Sequence, residues 1–282
     1  MKKTLALLLL LSLSHSFSQS LDKIKEENVK FMSNGVKLEG TLYSPEKPYA
    51  AIVFVHGSGM QKRNLSIAKQ FANQGIAAFV YDKRGVGNSG GKYESEHSVS
   101  EFNLKLLATD SKSAINLIAK DSRFKNIPIG LTGISQAGWI IPIAAEKNEL
   151  IDFIVLWSGP VCKVSEEDIY SKYTNDKDFK NIPTYDEALK SRKTKYIWPS
   201  FLGEDIDSSL YLEYIEIPGL WIFGGQDGSI PVDLSVNRLN TLINNSKKYE
   251  YIIFHGLGHN NVPQTFNYAV DWIKKNAFNK EE

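Results

Sequence analysis

The stretch GLTGISQAGW at residues 130–139 constrains this chain more than any other. It follows a short apolar run, Ile127, Pro128 and Ile129, and precedes a helix-like run from Trp139 to Lys147. Ser135 stands at the junction, with Gly133 two residues before it and Ala137 and Gly138 after it. This spacing predicts a nucleophile elbow, a sharp strand-to-helix turn that holds a serine hydroxyl exposed above a sheet. Small residues are needed there because strand and helix backbones pass close together. The turn also predicts that the Gln136 amide opens a helix, where an N–H can donate to an oxygen that becomes negative during acyl transfer. The usual last position of the pattern is glycine; Ala137 is small enough to keep the fit, with less backbone freedom. A five-residue pattern is weak by itself, so its surroundings decide.

Those surroundings alternate between buried-type strands and helices. Val29 to Leu42 reads as a hairpin turned at Asn34-Gly35, with Gly40 a bulge. Ala50 to Val55 is a continuous apolar run, as expected of a strand covered on both faces. It ends in His56-Gly57-Ser58-Gly59, which reads either as an ordinary strand-to-helix loop or as the seat of a second oxyanion donor, the Ser58 amide. A helix over 64–73 follows, with Gly75 as its cap. Ala77 to Tyr81 is the next strand, then the glycine-rich Asp82 to Gly90. That loop fits neither a dinucleotide fingerprint nor a phosphate loop, since the glycine spacing and the Gly-Lys-Ser/Thr ending are absent. It reads as structural, with Asp82 paired to Arg84. Helical spacing runs from Phe102 to Lys120, and Pro142 should kink the helix after Ser135. Further strands at 153–156, 219–223 and 248–254, and helices over 232–244 and 263–275, complete the pattern.

Composition narrows the setting. A length of 282 residues suits one α/β domain, and 42% hydrophobic residues support a large core. Net charge is +1, so nothing electrostatic points to nucleic acid or an anionic membrane. The single cysteine, Cys162, rules out an internal disulfide framework and a cysteine-based zinc site, and reads as a small buried apolar residue. Residues 1–19 read as a secretory signal peptide: a basic start, an apolar run from Leu5 to Leu13, then small residues to a cleavage site near Ser18–Ser20. That run is too short for a stable membrane span. The expected location is periplasmic or secreted.

Residues 161–217 break the alternation. They are tyrosine-rich and carry a net charge of −4, with no buried-type strand. This predicts an inserted helical cap over the carboxyl ends of the strands, where open α/β sheets bind ligands, dividing a core of 20–160 and 218–282. One or two of its aromatics are expected to line a substrate pocket. In a mostly parallel sheet with helices on both faces, residues just past the strand ends converge on one rim. Ser135, Asp227 and His259 each lie there, in the order Ser, Asp, His.

The mature chain therefore resembles the α/β-hydrolase family, and most closely its small bacterial carboxylesterases. These carry HGSG, a D-x-R-G-x-G-x-S loop, and G-x-S-x-x-G followed by proline, matched here by His56–Gly59, Asp82–Ser89 and Gly133–Pro142. Ala137 and Gln136 depart from that pattern. The resemblance implies a serine hydrolase acting on a small-molecule carboxylic ester with no metal or organic cofactor. Ser135 would be the nucleophile, His259 the base and Asp227 its orienting acid, with the Gln136 and Ser58 amides holding the oxyanion.

Rivals exist for these roles. His255 directly follows a strand and reads as structural, and His56 precedes the elbow by two strands. Asp205, Asp207 and Asp233 read as solvated charges. A serine peptidase or amidase of the same fold remains open, since the same three residues cleave amides and an acidic cap could anchor a peptide amine. A non-catalytic binding protein is a third reading. A coenzyme A thioesterase is disfavoured by the export signal and the acidic cap. Oligomeric state is not legible.

Overall fold

Alternate residues along each central strand feed two separate cores. In the computed structural model, which describes residues 23–278, Ala51, Val53 and Val55 of β3 (Ala50–Val55) face one core and Ala50, Ile52 and Phe54 the other. The same division holds along β4 (Ile76–Tyr81), β6 (Phe153–Trp157) and β7 (Gly219–Gly224). Strands apolar at every position are thus explained by burial on both faces. Helices α2 (Glu101–Ala119), α3 (Ala137–Ala145) and α7 (Val232–Asn244) cover the first core. Helices α1 (Leu65–Asn73) and α8 (Val262–Phe278) cover the second. The leader expected at 1–19 lies outside the described residues. Among those described, no helix is long and apolar enough to cross a membrane.

The remaining strands are β1 (Lys25–Ser33), β2 (Val36–Ser44), β5 (Ile129–Ile134) and β8 (Tyr249–Phe254). The sheet order is β1-β2-β4-β3-β5-β6-β7-β8; the β1–β2 and β2–β4 pairings are antiparallel and the other five are parallel. β5 therefore sits near the middle, flanked by β3 and β6, so the loops ending those three strands share one rim. Asn34 and Gly35 adopt positive φ of 45° and 73°, the geometry of the expected hairpin turn. Gly40 is no bulge: the β1–β2 register runs unbroken, pairing Val29 with Gly40. A Cβ at residue 40 would collide with the Phe79 ring, so glycine there makes room for an aromatic of the neighbouring strand.

The loop after β4 differs from the sequence expectation in its pairing. Asp82 meets Arg63 at 2.7 Å, while Arg84 reaches across to the fully buried Asp110 on α2. Ions in a dry interior need a partner held in fixed geometry, and a helix opposite the loop supplies one that Asp82, two residues away in the chain, does not. Helix α3 runs through Pro142 and ends one turn later at Ala145.

Between β6 and β7 the chain forms α4 (Val164–Thr174), α5 (Tyr185–Lys190) and α6 (Ser208–Leu212). This insertion has a small core of its own around Ile169, Tyr170 and Ala188. A capping box of Thr184 and Glu187 opens α5, and Glu166 accepts the Lys163 amide at the start of α4. Cys162 is buried at its base, and desolvation, then the nearby Glu166 and Glu167 charges, push its thiol well above the usual range.

Candidate active site

Ser135 follows the last residue of β5 with φ of +56°, a left-handed conformation that costs a side-chain-bearing residue of order 1–2 kcal/mol. The surroundings hold it there. Its amide donates to the Trp157 carbonyl on β6 at 3.0 Å, and α3 begins two residues later. Gly133 is required by contact: a Cβ there would lie 2.5 Å from the Ala137 Cβ and 2.9 Å from the Val55 carbonyl oxygen. Ala137 is itself fully buried, so its methyl occupies the space beside Gly133. A Cβ on Gly138 would strike Pro160, which explains glycine on the first turn of α3.

The structure brings Ser135, His259 and Asp227 into one hydrogen-bonded chain. His259 Nε2 lies 3.0 Å from Ser135 Oγ, and its Nδ1 lies 2.9 and 3.0 Å from the two carboxylate oxygens of Asp227. Asp227 is fully buried and accepts the backbone amides of Ser229 and Ile230 at 2.9 and 3.1 Å. Those bonds fix the orientation of the carboxylate. Burial pulls the His259 imidazole towards neutrality. The Asp227 hydrogen bond and the charges of Asp227, Asp178 and Asp176 outweigh burial and raise its pKa above 6.5. A neutral His259 donating from Nδ1 to Asp227 leaves Nε2 free to accept the serine proton.

The histidine loop is fastened by residues that the sequence reading passed over. Ser158, at the end of β6 with φ of +45°, donates its hydroxyl to the His259 carbonyl at 2.9 Å and accepts from Asn261 at 3.0 Å. Asp178, from the insertion, accepts the Gly228 and His259 amides at 3.2 Å each, linking the two loops that carry Asp227 and His259. A Cβ on Gly228 or Gly258 would strike Lys177 or Asp178, so both glycines admit the insertion. Glycines in these loops were a legible signal for such close approach; the aspartate that uses them was not.

The amides of Ser58 and Gln136 flank Ser135 differently. A Cβ placed on Gly57 would lie 3.5 Å from the Ser135 Cβ, so the loop after β3 passes directly beside the serine. Gln136 is buried as the residue preceding α3. Neither amide donates to a protein acceptor among the described residues. His56 beneath this loop bonds the Tyr81 carbonyl through Nε2, and burial pushes its pKa down to about 4, keeping it neutral.

The other candidates lie elsewhere. His255 is exposed and makes no hydrogen bond to Ser135 or Asp227. Asp205 accepts from Ser165, Asp207 caps α6 and meets Arg238, and Asp233 accepts the Tyr185 amide. A cavity of about 500 Å³ opens at Ser135 and His259. Its walls come from the loop after β3, from α1 and from the start of α8, including Ser58, Gln61, Asn64 and Ile67. No residue of 161–217 lines it, contrary to the expectation of a pocket walled by aromatics of the insertion. The insertion docks instead over the loops after β7 and β8.

Residues 46–198, more than half of the chain, match the family described as serine aminopeptidase, S33. Among solved structures, an esterase of Pyrococcus furiosus is 17% identical, covering 89% of this chain and 90% of its own at a TM-score of 0.65. An acylaminoacyl peptidase of Pyrococcus horikoshii is 19% identical, covering 86% of this chain but 39% of its own at a TM-score of 0.63. At these identities the likeness is one of fold. It is the α/β-hydrolase fold, a mostly parallel eight-stranded sheet with helices on both faces and an inserted helical cap. Two Mycobacterium tuberculosis proteins, provisionally named phosphoribosyl transferases, are 26% identical over 140 residues, which is 48% of this chain and 30% of theirs. The matched stretch thus spans less than a third of those curated relatives.

Proposed function

The chain belongs to the serine aminopeptidase S33 family of hydrolases, and on that premise we propose that it is an exported serine hydrolase cleaving carboxylic esters of small to medium acyl groups. The observation that carries this reading is the bonded chain from Ser135 Oγ through His259 to Asp227. His259 Nε2 takes the hydroxyl proton as Oγ attacks the ester carbonyl. The Gln136 and Ser58 amides receive the oxygen that becomes negative. The C–O bond to the leaving alcohol breaks, and the alcohol departs with the proton from His259. Water then gives a proton to Nε2, its oxygen attacks the acyl carbon, and the acid leaves as Oγ recovers its proton. Asp227 keeps the imidazole in the required tautomer throughout. These residues complete the cycle without calling on a metal or an organic cofactor. Export rests on the basic and apolar start of the sequence.

A second reading, amide or peptide hydrolysis, is favoured by one observation. Asp176 and Asp178 lie close enough to raise the His259 pKa, so a substrate ammonium near the site would be attracted. Turnover of a p-nitrophenyl ester against an aminoacyl p-nitroanilide separates the two. Ester hydrolysis faster by orders of magnitude, with no anilide turnover, is expected; efficient anilide cleavage would replace the ester reading.

The same electrostatics set the acid limb of the rate. Only neutral His259 is a base, so kcat/KM should fall as pH drops through a midpoint above 6.5. Asp178→Asn removes one of the charges that stabilise the imidazolium, so its midpoint should lie below that of the wild type. A pH–rate profile of both proteins checks the direction; an unchanged or higher midpoint in the variant would refute it.

A further inference from the structure

Lys83 is a buried cation that the mechanism above does not use. It follows β4 and the Asp82 that pairs with Arg63, and only 3% of its surface is exposed. Its Nζ donates to the Gly57 carbonyl oxygen at 2.9 Å and to Gln136 Oε1 at 2.9 Å. No carboxylate pairs with it among the described residues. A buried lysine without a counter-ion is costly, and the two neutral acceptors recover only part of its lost hydration.

Both acceptors belong to the oxyanion assembly. The Gly57 carbonyl and the Ser58 N–H are the two ends of one peptide unit, and in a trans peptide they point in opposite directions. An ammonium fixed on the oxygen therefore sets the plane of that peptide. It also draws electron density away from the N–H and strengthens it as a donor. The second contact grips the side chain of the residue that supplies the other amide. The Gln136 carboxamide is held at its far end as well, where Nε2 donates to the Ser98 carbonyl at 3.0 Å. One cation thus fastens the loop after β3 to the start of α3, on either side of Ser135.

We propose that Lys83 is a positioning residue of the oxyanion hole, orienting and polarising the Gly57–Ser58 peptide and anchoring Gln136 so that both amides meet the developing negative oxygen. This rests on the ester-hydrolase reading of Ser135. The effect belongs to the transition state, because the oxygen carries full charge only there. Burial also lowers the Lys83 pKa to about 8. The ionisable groups around it are His56, itself held neutral, the Tyr93 ring 5.9 Å away, and the neighbouring Asp82, whose carboxylate is taken by Arg63. A neutral amine keeps N–H donors but loses the charge, so the wild-type kcat should decline by up to about tenfold above that pH.

The test compares wild type, Lys83→Met and Lys83→Arg on p-nitrophenyl acetate and in the rate of fluorophosphonate labelling of Ser135. Lys83→Met should lower kcat about 10²-fold with KM within about threefold, the pattern of a lost oxyanion interaction. Labelling should slow to a similar degree, and the alkaline decline should vanish. Lys83→Arg, which keeps a charge and donors, should recover at least tenfold of the loss. A thermal melt establishes that each variant is folded; if Lys83→Met is not, Lys83→Gln, a neutral donor, is read in its place with the same expected loss of the alkaline decline. Wild-type turnover and labelling in the folded variant would overturn the role of Lys83 while leaving the ester reading intact. A wild type that neither hydrolyses the ester nor takes the label would overturn both.

Discussion

Ser135→Ala is expected to lower kcat on p-nitrophenyl acetate by at least about 10⁴-fold with little change in KM. The hydroxyl is the group that would form the covalent acyl intermediate, and Ala retains the small size that the turn between β5 and α3 demands. The protein should therefore fold as before, and a melting temperature close to that of the wild type establishes this. Alanine even relieves nothing at φ of +56°, since it pays the same left-handed penalty as serine. His259→Ala should cost about as much, and the double variant no more than either alone, because the two act as one unit. Additive losses would mean that Ser135 and His259 serve separate steps. Residual hydrolysis above the uncatalysed rate is expected in all three, from the amides at the site.

The largest expected effect on stability lies away from the site. Arg84→Met should destabilise the protein by about 3–5 kcal/mol at pH 7 in urea unfolding, because it strands the Asp110 carboxylate in the core. Asp110 is fully buried, and Arg84 meets it through Nε at 3.0 Å and through Nη2. Burial pushes the Asp110 carboxyl pKa upward, and the Arg84 hydrogen bonds and charge pull against that rise. Without the guanidinium, the folded-state pKa rises further above the unfolded value. A group whose folded pKa is raised binds its proton more tightly in the native state, so the cost should grow as pH rises above the unfolded carboxyl range. The variant should thus be closer to wild type at pH 5 than at pH 8. Exchanging both residues for apolar ones of similar volume should recover much of the loss. The Lys105–Glu101 pair on the same helix provides the contrast: Lys105 is exposed, and replacing it by Met should cost less than about 0.5 kcal/mol. Equal effects for the two pairs would show that the burial of Asp110 is not what makes Arg84 matter.

What could be read from the sequence follows from which interactions are local. AAIVFV announces a strand buried on both faces because the pattern resides within six consecutive residues. The helix read over 64–73 is legible for the same reason, and the Asn64 side chain caps it by accepting an amide three residues on. The rim positions of Ser135, Asp227 and His259 follow from strand ends and chain order, without knowledge of any contact. Their mutual distances do not. Arg84 finds Asp110 from another element, 26 positions away, and the nearby Asp82 is drawn off by Arg63. Gly40 looks like a bulge residue until the Phe79 ring is seen against it. The cavity is displaced from the insertion because Lys177 and Asp178 seat that segment on the loops after β7 and β8, and no local pattern records where an inserted segment docks. Lys83 is hidden for a similar reason: its neighbours in the chain look like a structural loop, and its acceptors come from two other segments.

The most direct measurement is peptide mapping by mass spectrometry after treatment with a fluorophosphonate, on wild type and on His259→Ala. A single adduct on Ser135 in the wild type, formed in step with the loss of esterase activity and slowed by orders of magnitude in His259→Ala, is the expected result. Complete inactivation with Ser135 unmodified, or an adduct on another side chain that tracks the loss of activity, would contradict the assignment of Ser135 as the nucleophile.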